Sequence, residues 1–280
     1  MTTLTTHHDN IAFIGGGNMA SAIIGGLLKS GTTPANIQVV EPFAEQRARL
    51  LQQFGIQANE APGLFLTDAA MVVWAVKPQS FKDAALQARI HTVAALHLSV
   101  AAGIRSSSIA DWLGTHRVVR SMPNTPALVG QGITALFARS AVTAADQAAV
   151  ERVIQTTGDY LWLGDEAQLD AVTALSGSGP AYIFYFMEAM TEAGAAMGLT
   201  PEQGHQLAVS TFAGASALAK ASSEPPEILR ARVTSKGGTT HAALMSMEQD
   251  NVKALFIRAM QAARQRAHEL GDEFGAAESN

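Results

Sequence analysis

The sequence predicts an α/β chain in two parts: a doubly wound parallel sheet over residues 1–165 and an all-helical domain over residues 166–280. Three observations predict it. Short, continuous apolar runs alternate with helical patterns through the first half. A glycine-rich turn joins the first run to the first helix. Strand signals stop near residue 165. Continuous apolar strands separated by helices imply a sheet covered on both faces, and right-handed crossovers make it doubly wound.

In chain order, Ile11-Ala12-Phe13-Ile14 reads as a buried strand and Asn18 to Lys29 as a helix rich in Ala, Ile and Leu. Ile37 to Glu41 is the next strand and Ala44 to Phe54 the next helix. Met71 to Val76, Leu96 to Val100 and Arg117 to Arg120 are further strands. Beyond residue 165, Asp170 to Leu175 and Ala181 to Met197 read as helices. The second is apolar almost all round, which places it in a core or between subunits. Pro201 to Ala221 is a helix with Pro in its first turn. Asn251 to Leu270 is a final amphipathic helix, expected to stop before Gly271, with a frayed tail after Phe274.

Composition narrows the function. The 280 residues suit one large or two modest domains. Hydrophobic residues make up 48% and charged residues only 15%, a core-rich balance that predicts apolar surface meeting another subunit. Lys+Arg 19 against Asp+Glu 24 gives no dominant basic field, which disfavours a nucleic-acid partner. Cys 0 excludes thiolate metal sites and Cys nucleophiles and fits the cytoplasm. Met1 to Asn10 lacks the basic patch of a signal peptide. The uncharged stretches 121–138 and 171–187 are broken by Pro and Gly, so no membrane span is expected. The histidines show no metal spacing, and no metal site is expected.

The strongest local feature is Ile14-Gly15-Gly16-Gly17-Asn18-Met19-Ala20, which matches Gly-x-Gly-x-x-Ala between a buried strand and a helix. Gly15 allows the tight turn, Gly17 lets the backbone approach a pyrophosphate, and Ala20 permits close helix–strand packing. The helix start aims free N–H groups and its positive dipole end at phosphate. Glu41 ends the second strand, where an acid holds adenosine ribose hydroxyls and favours NAD over NADP. It also fits a plain solvated acid, and Arg47 and Arg49 close by could counter its charge. Ala75-Val76-Lys77-Pro78 closes the third strand at the carboxyl end, where such sheets bind ligands. Met122-Pro123-Asn124 forms a rigid loop suited to the wall of a flat ring, or an ordinary turn. Ser176-Gly177-Ser178-Gly179-Pro180 and Ser235-Lys236-Gly237-Gly238-Thr239-Thr240 each join glycines to hydroxyls at a helix start. Such a start suits an anionic carboxylate or serves as a cap. With no nucleophile elbow or metal pattern, electrophilic chemistry would come from a bound dinucleotide.

Together these segments, with Ser99 to Ile104, Arg120 to Pro126, Leu175 to Tyr182 and Val233 to Thr240, resemble the Δ1-pyrroline-5-carboxylate reductase family over nearly the whole chain. The resemblance implies NADPH- or NADH-dependent reduction of L-Δ1-pyrroline-5-carboxylate to L-proline, the last step of proline biosynthesis. It implies a Rossmann-type N-terminal domain and an all-helical dimerisation domain that interlocks two subunits, with decamers in many members. It puts Ile14, Gly15, Gly16, Gly17, Asn18, Met19, Ala75, Val76, Lys77 and Pro78 on the dinucleotide, with Met122, Pro123 and Asn124 flanking the nicotinamide. It puts Ser176, Ser178, Ser235, Gly237, Gly238, Thr239 and Thr240 on a cyclic imino acid, Thr240 approaching the ring nitrogen as the catalytic residue. Two residues depart from the family pattern. Lys236 stands where Pro is more common, and Glu41 stands where NADP-preferring members carry small or basic residues. On the residues alone, a dehydrogenase of a 3-hydroxy acid or another cyclic imine, and a non-catalytic dinucleotide sensor, stay open.

Overall fold

The computed structural model describes residues 10–276, with side chains through Phe274. The reading of the N-terminal stretch falls almost wholly on residues 1–9, outside the described residues, as does most of the tail after Phe274.

The chain divides into two compact units, Met1–Gly177 with Ala263–Asn280, and Ser178–Ala262. The first unit is built on β1 (Asn10–Ile14), α1 (Asn18–Lys29), β2 (Ile37–Val40), α2 (Ala44–Phe54), β3 (Ala69–Trp74) and α3 (Pro78–Ala88). It continues with β4 (Leu96–Ser99), α4 (Ser106–Leu113), β5 (Val118–Met122), β6 (Gly132–Ala138), α5 (Ala144–Ile154), β7 (Gly158–Trp162) and α6 (Gln168–Val172). The strands form one sheet of seven in the order β2-β1-β3-β4-β5-β6-β7. β2 through β5 are parallel, β6 runs antiparallel to β5, and β7 is parallel to β6.

Side-chain alternation explains the two-sided core. Ile11 and Phe13 of β1 face one cluster with Ile23, Ile24 and Leu27 of α1 and Val150, Val153 and Ile154 of α5. Ala12 and Ile14 face the other, with Phe81 and Ala85 of α3 and Ile109 and Trp112 of α4. Helices therefore cover both faces, as the continuous apolar runs require.

The sequence reading missed β6 and β7, so the sheet is mixed rather than wholly parallel. β6, GITALFA, opens on Gly and is interrupted by Thr134 before its apolar run Ala135–Ala138, and β7, GDYLW, is short and half-exposed. The third strand ends at Trp74, not Val76, and the fifth spans Val118–Met122 rather than residues 117–120. Helices α3, α4 and α5 were not read.

The second unit holds α7 (Gly179–Ala196), α8 (Pro201–Ala221), α9 (Pro226–Arg232), α10 (Thr239–Gln249) and the start of α11 (Val252–Ala276). α7 and α8 approach closely at Gly194, where an added Cβ would lie 3.4 Å from the Gly204 Cα. α8 opens with a capping box between Thr200 and Gln203. Within this chain, Gly194 is the buried residue of α7, while Phe184 and Tyr185 are exposed. Of the two settings its apolar sequence allowed, a core of this unit is not the one found.

Two helices differ most from the sequence pattern. The segment read as a helix over 170–175 is α6 followed by a π-helical turn, Thr173–Gly177. The final helix does not stop before Gly271 but continues to Ala276. Its end lies within the first unit: Arg105 pairs with Asp272, and Leu270 and Phe274 sit against Gly103. Gly271 is buried there beside the Arg105 guanidinium, with which an added Cβ would make ordinary contact at 3.4 Å. Among the described residues, no helix is long and apolar enough to cross a membrane.

Candidate active site

The sheet reverses its winding between β1 and β3, and in such sheets the crevice beyond those carboxyl ends is where ligands bind. The glycine loop lies there. Gly15 has φ +95, and a Cβ on it would stand 2.6 Å from the Ala75 carbonyl oxygen, so this turn admits glycine alone. The Gly15 N–H donates to the Val40 carbonyl at 2.8 Å, and Ala75 N–H donates to the Ile14 carbonyl at 2.8 Å. The loop is thereby fixed between its two neighbouring strands.

Gly16 is held from the side. Its N–H donates to Glu41 Oε2 at 2.9 Å, and its carbonyl accepts from Gln46 Nε2. The other carboxylate oxygen, Glu41 Oε1, accepts from the Phe43 N–H at 2.9 Å. Glu41 is only 5% exposed, so it is no loosely solvated acid but part of the loop's frame. Arg47, read as a possible counter-charge, donates to the Glu41 and Pro42 carbonyls and pairs with Glu60 at 3.4 Å. Gln46 was missed. Its position in the first turn of a helix that starts just after β2 is the signal that could have found it.

Gly17 is the N-cap residue of α1. It makes no side-chain cap, and a Cβ built on it meets nothing within 4 Å. An uncapped twelve-residue helix opens at this bare backbone, with Asn18 exposed and Met19 half-buried. Unfilled N–H groups, a positive dipole end and open space at the glycine fit a dinucleotide pyrophosphate. Ala75 and Val76 are half-buried beside the loop, Lys77 is exposed, and Pro78 is the first residue of α3 rather than a strand stop alone.

The Met122-Pro123-Asn124 loop is braced from both sides. Asn124 is buried; its Oδ1 accepts from Ile133 N–H at 3.0 Å and its Nδ2 donates to the Ser176 carbonyl at 3.2 Å. The Met122 methyl touches the Cα side of Gly177. The structure therefore brings the predicted ring-flanking loop together with the start of the Ser176-Gly177-Ser178 segment. The Ser176 hydroxyl donates to the Val172 carbonyl at 3.1 Å.

The remaining predicted residues belong to the second unit. Ser178 stands at the N-cap of α7 without a side-chain cap. Gly238 stands at the N-cap of α10, also without one, and its N–H donates to the Ser235 carbonyl at 3.0 Å. Gly237 has φ +75 and makes the turn. Ser235, Thr239 and Thr240 are exposed, the two threonines opening the helix.

Behind the site, two buried networks fix the sheet. Glu166 pairs with Arg120 at 3.0 Å and accepts from the Ser106 N–H and hydroxyl, capping α4 from sixty residues away. Buried His97 accepts from Trp74 Nε1 at 3.1 Å. Burial, with a smaller push from Arg117, lowers its pKa to about 4 despite a hydrogen bond to the Thr92 backbone.

A wound sheet with an open glycine-loop helix, joined to a helical unit with hydroxyl-rich helix starts, defines a two-part oxidoreductase of the dinucleotide-binding class. Comparison with known proteins narrows the class. The family model for pyrroline-5-carboxylate reductase dimerisation matches residues 166–270, and that for coenzyme F420-dependent NADP oxidoreductase matches residues 10–103. A pyrroline-5-carboxylate reductase of Pseudomonas aeruginosa is 46% identical over 95% of this chain and 98% of its own. The solved reductase of Coxiella burnetii superposes with TM-score 0.88 at 38% identity, covering 94% of this chain and 98% of that one. A Plasmodium falciparum pyrroline carboxylate reductase solved with NADP bound superposes with TM-score 0.84 at 26% identity, with coverage of 94% and 98%. The chain belongs to the pyrroline-5-carboxylate reductase family.

Proposed function

We propose that this chain reduces L-Δ1-pyrroline-5-carboxylate to L-proline with NADPH or NADH, the last step of proline biosynthesis. The observation that carries the reading is the 46% identity to a reductase over 95% of the chain, which covers the glycine loop and the α10 start alike. Residues 1–165 serve the dinucleotide, and residues 166–280 serve the substrate and the pairing of subunits.

The dinucleotide, when bound, supplies hydride. Ile14, Gly15, Gly16, Gly17, Asn18 and Met19 present the turn and open N–H groups to its phosphates, with Ala75, Val76, Lys77 and Pro78 alongside. Met122, Pro123 and Asn124, held rigid through Ile133 and Ser176, give the nicotinamide a fixed wall. Ser235, Gly237, Gly238 and Thr239 take the substrate carboxylate at the uncapped start of α10, with Ser176 and Ser178 supporting. Thr240 orients the ring nitrogen. An imine is already electrophilic, and more so when protonated. The reaction adds hydride at C5 and leaves one proton on nitrogen. Alignment supplies up to roughly 7–11 kcal/mol of the barrier. Thr240 is a weak acid, so its share is orientation and proton relay rather than deep acid catalysis.

The exposed apolar side chains of the second unit, Ile183, Phe184 and Tyr185 among them, fit a homodimer face, from which decamers assemble in many family members. The reading places the enzyme in the cytoplasm, in keeping with a chain of Cys 0.

The test is loss of 340 nm absorbance with L-Δ1-pyrroline-5-carboxylate, with NADH and NADPH in parallel. Turnover that falls in Thr240→Val while dinucleotide affinity holds supports the assignment. No turnover by folded, dinucleotide-binding protein sinks the reductase reading, and unchanged turnover in the variant removes Thr240 from the mechanism.

A further inference from the structure

The end of β2 decides which dinucleotide the loop accepts, an inference that rests on the dinucleotide reading above. Three features meet there. The Glu41 carboxylate is almost wholly buried and fixed by two backbone N–H groups, Gly16 at 2.9 Å and Phe43 at 2.9 Å. The Arg47 guanidinium is spent on two backbone carbonyls and on Glu60. The segment carrying Asn59 and Glu60 is zipped onto the strand end, Asn59 N–H to the Val39 carbonyl and Glu41 N–H to the Asn59 carbonyl, both 2.8 Å. Glu60 therefore adds a second carboxylate to the same edge.

We propose that this chain selects NADH over NADPH, with Glu41 as the specificity-determining residue. A carboxylate accepts about four hydrogen bonds and donates none. Two are spent on the loop, and the remainder suit a ribose 2′-hydroxyl, which donates. A 2′-phosphate ester offers acceptors and brings about two negative charges. It would meet a fixed anion whose burial limits screening by salt. Rotation of Glu41 away from it would cost the bonds that hold Gly16 and Phe43. Of the two nearby cations, Arg47 would have to leave two carbonyls and Glu60 to compensate, and Arg49 stands exposed on α2. The same carboxylate thus shapes the glycine loop and sets the sign of the ribose subsite, so selectivity is built into the loop's frame.

The test is calorimetric binding of NADH, NADPH, AMP and adenosine 2′,5′-bisphosphate to the full chain without substrate. The expected result is NADH at least about tenfold tighter than NADPH, with the same order for AMP over the bisphosphate. NADPH binding as tightly as NADH, or tighter, overturns the proposal. Glu41→Gln and Glu41→Ala should narrow the gap to within about threefold. Either variant that binds NADH and keeps the full gap takes the role from Glu41 and overturns it. If neither variant binds, the wild-type ratio decides alone. Failure of both dinucleotides to bind wild type refutes the dinucleotide site itself. Selective NADH binding without turnover leaves this inference standing and refutes the reductase reading.

Discussion

Gly15 and Gly17 sit two residues apart in one loop, and alanine should harm them in opposite ways. At Gly15 the new Cβ would lie 2.6 Å from the Ala75 oxygen and 2.8 Å from its carbon, with φ at +95. The left-handed backbone costs about 1–2 kcal/mol. Forcing a methyl against strand-anchored backbone adds about 1–3 kcal/mol. The sum of roughly 2–5 kcal/mol is a large share of the ~5–15 kcal/mol that holds a domain together. At Gly17 φ is -69, a value alanine adopts freely, and the new methyl meets nothing within 4 Å. Two small effects oppose each other there: the unfolded chain loses freedom, which stabilises by about 0.4–1 kcal/mol, and alanine is a poorer N-cap than glycine by about as much, so stability should change by less than about 1 kcal/mol. The methyl would nevertheless occupy the open side of the helix start, where the pyrophosphate is assigned. Gly17→Ala should therefore weaken NADH binding by about tenfold or more, or 1.4 kcal/mol. Urea denaturation without nucleotide and calorimetric titration of NADH separate the two quantities. A stable Gly17→Ala variant with wild-type affinity would refute the placement of the phosphates. A Gly15→Ala variant as stable as wild type would refute the steric argument.

His97 makes stability depend on pH. Its folded pKa of about 4 lies below the ordinary 6.5, so protonation favours the unfolded chain. Its contribution is complete above pH 6.5 and is lost as pH falls toward 4, by roughly 3 kcal/mol in full. Urea midpoints from pH 7 to 5 should fall in wild type and flatten in His97→Asn, and parallel curves would exclude this source. Glu166→Ala strands the buried Arg120 guanidinium and two Ser106 donors, and should cost about 3 kcal/mol by chemical denaturation. Glu166→Gln, which keeps an acceptor, should cost less, and equal losses would show that charge pairing dominates. Phe184→Lys places a charge on the exposed apolar face of α7 and should shift sedimentation toward the monomer. An unchanged oligomer would place the subunit interface elsewhere.

The first β-α unit was legible in the chain. α1 could be read to the residue and β1 to within one, because a strand buried on both faces needs an unbroken apolar run and Gly15 needs its positive φ. Segments 75–78 and 122–124 were legible for the same reason, as rigid punctuation after strands. The pairings that give these segments their shape were not. Gly16 meets Glu41 across 25 residues, and Asn124 meets Ser176 across 52, and no spacing rule predicts either bond. β6 escaped because Gly132 and Thr134 break its pattern, although its Ala135-Leu136-Phe137-Ala138 run is as apolar as that of β1. Gly271 misled in the other direction. Glycine after a basic turn reads as a helix stop, yet α11 runs through it, its last turns held by the Arg105–Asp272 pair, a contact made by a residue far away in the chain.

α7 sets the limit of what one chain can explain. Its composition demands burial, yet Ile183 is 39% exposed, Phe184 57% and Tyr185 69%. At about 25 cal/mol per Å² of apolar surface, faces of that size are too costly to leave in water. The match of residues 166–270 to a dimerisation family supplies the physical answer, a second polypeptide surface. The Ser235–Thr240 turn belongs to this same unit, so the hydroxyls proposed for the substrate stand on the part of the chain that matches the dimerisation family. On the proposed assignment, specific activity should fall on dilution as the subunits part, and activity independent of protein concentration would break the link between pairing and catalysis.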